Sequence, residues 1–205
     1  MLEPHLGAPD ILSTLRIDAS PPPEPTAQSE KLERLYALID GIETAMMTTR
    51  CSDGSLVSRP MQVQARDAGT DLWFMTVVGS DKTREIAFDP QVNLGFSTRG
   101  AREWVSVSGL ARVTKNRERI HQLYKPTWKL WLPDEGGDRN GGPDDPRIAL
   151  IEVEARSATF MKSTGPGVVQ AFKMGVALLT GTQPDLGEVG TVGSVTLAEG
   201  PPRAP

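Results

Sequence analysis

The sequence predicts a mainly β chain with flanking helices, its short consecutive strands closing into a barrel. Three observations carry this. Between Thr44 and Lys162, runs of β-branched, aromatic and alternating apolar residues recur, bounded by Gly, Pro, Asp or Ser. Most connections between these runs are short, which favours antiparallel neighbours and a sheet that closes to remove its edges. Helical periodicity marks the segments on either side, most clearly between Ser29 and Asp40.

The elements follow in order. Residues 1–28 hold six prolines, including Pro21-Pro22-Pro23, and few large apolar groups, the composition of an extended or disordered arm. Leu32, Leu35, Tyr36, Leu38 and Ile39 then recur at helical spacing, with Gly41 as the expected residue just past the helix end. Thr44 to Arg50 and Leu56 to Arg66 flank Ser52-Asp53-Gly54-Ser55, a hairpin signal. Asp67 to Thr70 makes the next turn and brings in Leu72 to Val77. There Trp73, Met75 and Val77 alternate with Leu72, Phe74 and Thr76 without a charge, as in a strand covered on both faces.

Gly79 ends that strand, Ser80 is the expected N-cap of a short helix, and Asp89-Pro90 stops it. Val92 to Ser97 and Trp104 to Thr114 form a further strand pair. Asn116 caps a helix containing Ile120, Leu123 and Tyr124. Tyr124, Trp128 and Trp131 fall at spacings of four and three, one aromatic stripe if helical, interrupted near Pro126. The acid-rich loop from Pro133 to Arg147 reads as a mobile rim. Ile148 to Glu154 and Ser157 to Lys162 supply the last two strands. A weaker helical pattern spans Val168 to Leu179, and Gln183 to Pro205 returns to Gly, Pro and small residues and is expected to trail away.

The 205 residues, 22.2 kDa, therefore divide into an arm (1–28), one domain (29–181) and a tail (182–205). A net charge of −4 and a pI near 5.3 argue against a nucleic-acid surface. The single cysteine, Cys51, excludes a disulfide framework within the chain and weakens any zinc reading. No apolar run approaches the ~20 residues of a membrane span, and the opening MLEPHLGAPD lacks a signal-peptide pattern, so a cytoplasmic protein without membrane contact is expected. A phosphate-binding P-loop, a G-x-G-x-x-G turn and a nucleophile elbow are all missing.

One junction stands out chemically. The strand ending near Val77 passes through Gly79 into a helix whose first turn carries Ser80, Lys82 and Thr83. Free first-turn N–H groups, hydroxyls and positive charge suit an anion. A lysine there opposes the helix dipole, which an anionic partner would explain. Arg59, on a neighbouring strand, is placed to add a second cation.

The ordered words SRPMQV (from Ser58), LWFMTVVGSDKTREI (from Leu72), DPQVNLGF (from Asp89), WVSVSGLARV (from Trp104), LWLPDEGG (from Leu130) and DPRIALIEVE (from Asp145) resemble the flavin-binding split β-barrel superfamily of pyridoxamine 5′-phosphate oxidase. Within it, the chain is most similar to the bacterial general stress proteins, over roughly residues 30–181. The resemblance implies an FMN-binding split β-barrel, with FAD as the alternative cofactor, working as a homodimer. It places Arg59, Ser80 and Lys82 near the phosphate, Met75 and Thr76 beside the isoalloxazine, and backbone groups of Pro60, Met61 and Gln62 at the ring's polar edge. Pro60, lacking an N–H, offers only its carbonyl. Trp104 would lie near the pyrimidine side or the partner's ring contact, and Trp128 or Trp131 would close the site from a second subunit.

Departures from the family pattern matter too. Histidine is absent after His121, so the Arg-Leu-His type substrate word of the vitamin B6 oxidases is missing. Phe160-Met161-Lys162 stands where relatives often carry Tyr-Trp-Asp, and Asp81 replaces a basic residue beside Lys82. The expected function is a flavin-dependent oxidoreductase of unknown substrate, with a reduced nicotinamide as a candidate donor. The alternatives are a flavin-holding or sensing module without turnover, and a dimeric barrel that has lost its cofactor.

Overall fold

The computed structural model describes residues 27–67, 71–99, 102–163 and 187–193. Residues 1–26 of the predicted N-terminal arm and the helix at Val168 to Leu179 lie outside these, while Ala27 and Gln28, assigned to the arm, begin the first helix. The described chain runs α1 (Ala27–Ile42), β1 (Thr44–Arg50), β2 (Leu56–Arg66), β3 (Leu72–Val77), α2 (Asp81–Phe88), β4 (Gln91–Ser97), β5 (Trp104–Thr114), α3 (Arg117–Leu123), a 3₁₀ turn (Pro126–Trp131), β6 (Ile148–Lys162) and β7 (Glu188–Gly193).

The strands pair in the order β3-β2-β1-β4-β5-β6-β7, all antiparallel, and β3 also pairs β6. That last pairing, Leu72 opposite Val153 through Val77 opposite Ile148, closes a six-strand barrel with β7 outside the ring. Strand β3 is covered on both faces, as its pattern predicts. Leu72 and Phe74 join the barrel core with Leu35, Ile39, Met47, Leu94, Val107 and Phe160. Trp73 instead joins Ile120, Trp128, Leu132, Ile148 and Leu150 beneath α3 and the 3₁₀ turn.

Four details differ from the sequence expectation. Helix α1 runs through Gly41 to Ile42, and the left-handed residue after it is Glu43 (φ 62°), whose N–H reaches Ile39 O at 3.0 Å. The two expected final strands are one 15-residue strand, because β5 runs alongside its whole length. Within the expected tail, Glu188–Gly193 forms β7, which lays Gly190 against the buried Phe160 ring. The loop at 133–147 is tied rather than loose. Arg147 donates to Pro133 O (2.9 Å), Arg139 O (3.0 Å) and the fully buried Asp145 carboxylate (2.7 Å), which also accepts the Gly141 N–H (2.8 Å).

A register irregularity falls between Ser108 and Gly109 in β5. A Cβ at Gly109 would stand 2.5 Å from Glu154 O and 2.9 Å from Val153 Cγ1, so β6 backbone blocks any side chain there. Gly109→Ala is expected to cost about 1–3 kcal/mol by overpacking, read as a lower midpoint in urea with an unchanged slope.

Candidate functional site

Helix α2 packs against β1 and β5, with Arg59 reaching it from β2 and the end of β3 leading into it. Gly79, at φ 76°, turns the chain from β3 into the helix, and the Ser80 N–H returns to Val77 O at 3.2 Å. A side chain at that φ would be strained, which is why glycine serves there. Ser80 takes the N-cap position, but its hydroxyl makes no capping bond. It lies 3.4 Å from Thr76 Oγ1, while Thr83 Oγ1 donates to Ser80 O at 2.7 Å. The first-turn amides therefore lack the usual side-chain acceptor, and such groups favour an anion.

Inward-facing residues of β1 and β2 meet the helix. Thr49 is buried at the end of β1, and Arg59 points from β2 toward the buried Glu85 of α2. Arg59 Nη1 donates to Glu85 Oε2 (2.7 Å) and Nη2 to Oε1 (2.8 Å), a two-pronged pair. Nη1 also donates to Thr49 Oγ1 at 3.1 Å. Glu85 Oε2 accepts Thr49 Oγ1 at 2.6 Å, and Oε1 accepts the Cys51 thiol at 3.5 Å. Both carboxylate oxygens are thus saturated.

The Arg59 bonds are the main cause holding the Glu85 carboxyl down at about 2, with Thr49 and Cys51 adding to the effect against the opposing cost of burial. Because its folded pKa lies below the ordinary 4.5, Glu85 stabilises the fold above that value, and the contribution fades as pH falls toward 2. Asp71 carries the opposite sign. Burial, then Glu152 and its other acidic neighbours, raise it to about 6, so its ionisation above that pH weakens the fold. Acid titration of stability should therefore flatten below pH ~4.5 in Glu85→Gln, whereas Asp71→Asn should gain stability near neutrality. Chemical denaturation at stepped pH reads both.

Lys82 differs from its neighbours. It is half-buried, and among the described residues no carboxylate or hydrogen-bond acceptor is paired with its ammonium. Burial first, and then the charge of Arg59, push its pKa below the ordinary lysine value, opposed by Asp81 and Glu85. Asp81 itself is exposed and pairs with Arg84.

Met47, Thr49, Arg59, Met61 and Lys82 line a narrow cleft with no room for a water molecule. Beside it, sharing Thr49, an open groove of about 370 Å³ crosses the outer face of β1, β4 and β5 past Thr48, Arg50, Asn93, Ser108 and Arg156.

Of the residues singled out in the sequence, Arg59, Met61 and Lys82 meet in the cleft, and Ser80 and Thr76 adjoin at the helix start. The rest lie apart. Pro60 and Gln62 are exposed on the outer face of β2, opposite Met46 and Thr44. Met75 packs with the second core cluster. Trp104 sits on β5 opposite Ser97 and Met161, with β1 and β4 between it and β2. The aromatic stripe is divided, because Pro126–Trp131 is a 3₁₀ turn rather than a continuation of α3. Trp128 is buried, edge-on to Tyr124 at 5.6 Å, with its Nε1 donating to Gln64 Oε1 at 3.3 Å. Trp131 is 74 % exposed beside Leu130.

Two residues that shape the cleft, Thr49 and Glu85, were not picked out by motif reasoning. The available signal was a carboxylate adjoining Ile86 on the inward side of a short helix, which requires a cation across from it.

A family model described as "Pyridoxamine 5′-phosphate oxidase like" matches residues 30–185. The protein bli-3 of Neurospora crassa is 34 % identical over 155 residues, 74 % of each chain. Among solved structures, a protein related to general stress protein 26 from Clostridium acetobutylicum matches with a TM-score of 0.59 at 13 % identity, over 82 % of this chain and 97 % of that one. A general stress FMN/FAD binding protein from Xanthomonas citri matches with a TM-score of 0.52 at 24 % identity, over 67 % of this chain and 94 % of that one. At these identities the structural likeness establishes the split-barrel fold. Among the described residues, no helix is long and apolar enough to cross a membrane.

Proposed function

The chain belongs to the pyridoxamine 5′-phosphate oxidase-like family, and on that premise we propose that it holds a phosphorylated flavin, FMN or alternatively FAD, where β3 passes into α2. The observation that carries this reading is Lys82, a half-buried cation with no anion paired to it among the described residues, on the first turn of a helix whose cap makes no side-chain bond. A phosphate fits what is present: one ammonium, first-turn amides, and the hydroxyls of Ser80 and Thr76.

The tricyclic ring requires more room than the narrow cleft gives, so in this reading it extends from the phosphate over β2 and the end of β3 rather than into the groove across β1, β4 and β5, which none of its proposed contacts lines. Backbone groups of Pro60, Met61 and Gln62, together with Met75 and Thr76, are the proposed ring contacts. Neither Trp104 nor Trp131 lines the cleft of its own chain. The reading therefore includes a homodimer in which they face the flavin of the second copy.

When bound, the flavin supplies two-electron redox chemistry, drawing on a reduced nicotinamide and passing electrons to an acceptor. The protein anchors and orients. Lys82 fixes the phosphate, and the β2 backbone sets the ring edge. The cleft offers no histidine, and its nearest carboxylate, Glu85, stays ionised and paired. With Lys82 given to the phosphate, no other group lining the cleft is free to transfer a proton, which favours a second reading, a flavin-holding module without turnover.

Purified protein is expected to take up FMN and show the flavin absorption bands. Anaerobic bleaching by NADH or NADPH, then recovery with an added acceptor, supports the oxidoreductase. Stable oxidised flavin supports the holder, and failure to take up any flavin removes both.

A further inference from the structure

Arg59 is the second cation that an anion at this barrel end would meet, yet the protein already supplies it with a carboxylate. Its two terminal nitrogens face the two oxygens of Glu85 at 2.7 and 2.8 Å, and one of them also bonds Thr49. This is the fork geometry in which a guanidinium takes a phosphate. Glu85 cannot readily surrender it. The carboxylate is about nine-tenths buried, Thr49 and Cys51 hold its oxygens from β1 and the following turn, and α2 fixes its backbone.

Resting on the flavin reading above, we propose that Glu85 is a resident anion of the phosphate site, which neutralises Arg59, leaves Lys82 as the working cation, and so limits how strongly the site favours a dianionic phosphate. Counting Arg59, Lys82 and Glu85, the site carries a net charge of +1 rather than +2. At physiological pH the Glu85 charge is permanent, since Arg59 keeps its carboxyl near 2. The terminal phosphate of FMN carries close to two negative charges, whereas the diphosphate of FAD spreads its charge as one per phosphorus. A site of lower positive charge therefore narrows FMN's advantage over both FAD and unphosphorylated riboflavin. This makes Glu85 a specificity-determining residue rather than only a strut for α2.

The test is a set of equilibrium titrations with riboflavin, FMN and FAD, followed by quenching of flavin fluorescence, on the full chain and the variants Glu85→Gln, Glu85→Asp and Lys82→Ala. Glu85→Gln is expected to raise FMN affinity roughly tenfold or more, the scale of one charge several ångströms away at an effective dielectric near 20. Riboflavin should move by less than about twofold, and FAD should gain less than FMN. Glu85→Asp, which keeps the charge, should leave the FMN-to-riboflavin ratio close to that of the parent.

An unchanged or lowered ratio in Glu85→Gln overturns the proposal and makes Glu85 a mere positioner of Arg59. If Glu85→Gln does not fold, the parent decides: a preference for FMN over riboflavin of about tenfold to hundredfold supports the proposal, and one beyond ~1,000-fold overturns it. Lys82→Ala separates this failure from that of the underlying reading. An unaltered FMN-to-riboflavin ratio there means that no phosphate docks at α2, and both fall.

Discussion

Lys82→Ala is expected to weaken FMN binding by about 30–100-fold, the ~2–3 kcal/mol of one charge-assisted contact, while riboflavin affinity stays within about twofold. The selectivity follows from geometry. Lys82 is the cation of the cleft that no carboxylate among the described residues engages, whereas Arg59 is already bonded to Glu85. Removing Lys82 takes away the interaction with the phosphate and leaves the surfaces assigned to the ring untouched. Lys82→Arg should retain most of the affinity, because charge matters more than shape at a helix start that also offers amides. Isothermal titration with FMN and riboflavin reads the effect, and equal losses for both ligands would mean that Lys82 supports the fold rather than the phosphate.

Phe74→Ala is expected to cost about 3–5 kcal/mol, the range for a fully buried aromatic cut back to alanine. Phe74 is fully buried midway along β3, opposite Val63 on one side and Ile151 on the other. It lies on the strand whose pairing to β6 closes the ring. The cavity would open at the seam, where β3 must hold two partners at once. For a chain of this size each kcal/mol lowers Tm by roughly 2–4 °C, so a drop of about 10 °C in circular-dichroism melting is expected. A loss under ~1 kcal/mol would show that the barrel is not closed through this strand.

Much of this fold could be read from periodicity. The uncharged alternation from Leu72 to Val77 announced a strand with two covered faces, and two separate core clusters meet it there. The turn at Ser52 to Ser55, the strand pair after Asp89-Pro90 and the Asn116 cap were equally legible, because turn and cap chemistry act within a few residues. Non-local effects were not. Strand β6 reads as two runs in isolation and becomes one because β5 pairs along its length. The tail segment at 188–193 is strand only because β6 offers it an edge. The loop at 133–147 looked mobile from composition, but Arg147 converts its acidity into a clasp.

Of the candidate site, only the meeting of Arg59, Met61 and Lys82 was legible. A lysine placed against a helix dipole after the short Gly79-Ser80 entry marked a candidate anion site, and Lys82 does share a cleft with Arg59. The pairing of Arg59 with Glu85 was not visible, since their contact spans 26 positions and depends on how α2 packs on the sheet. The aromatic stripe is divided by the 3₁₀ turn. Trp128 is committed to Tyr124 and Gln64 within its own protomer, whereas Trp131 alone of that pair is displayed to solvent.

The most direct measurement is a crystal structure of the protein grown with FMN. The account predicts a phosphate oxygen about 3 Å from Lys82 Nζ, at charge-assisted hydrogen-bond distance, with further contacts to the first-turn amides of α2 and with Arg59 still joined to Glu85. Flavin bound elsewhere, with Lys82 left facing solvent, would contradict it.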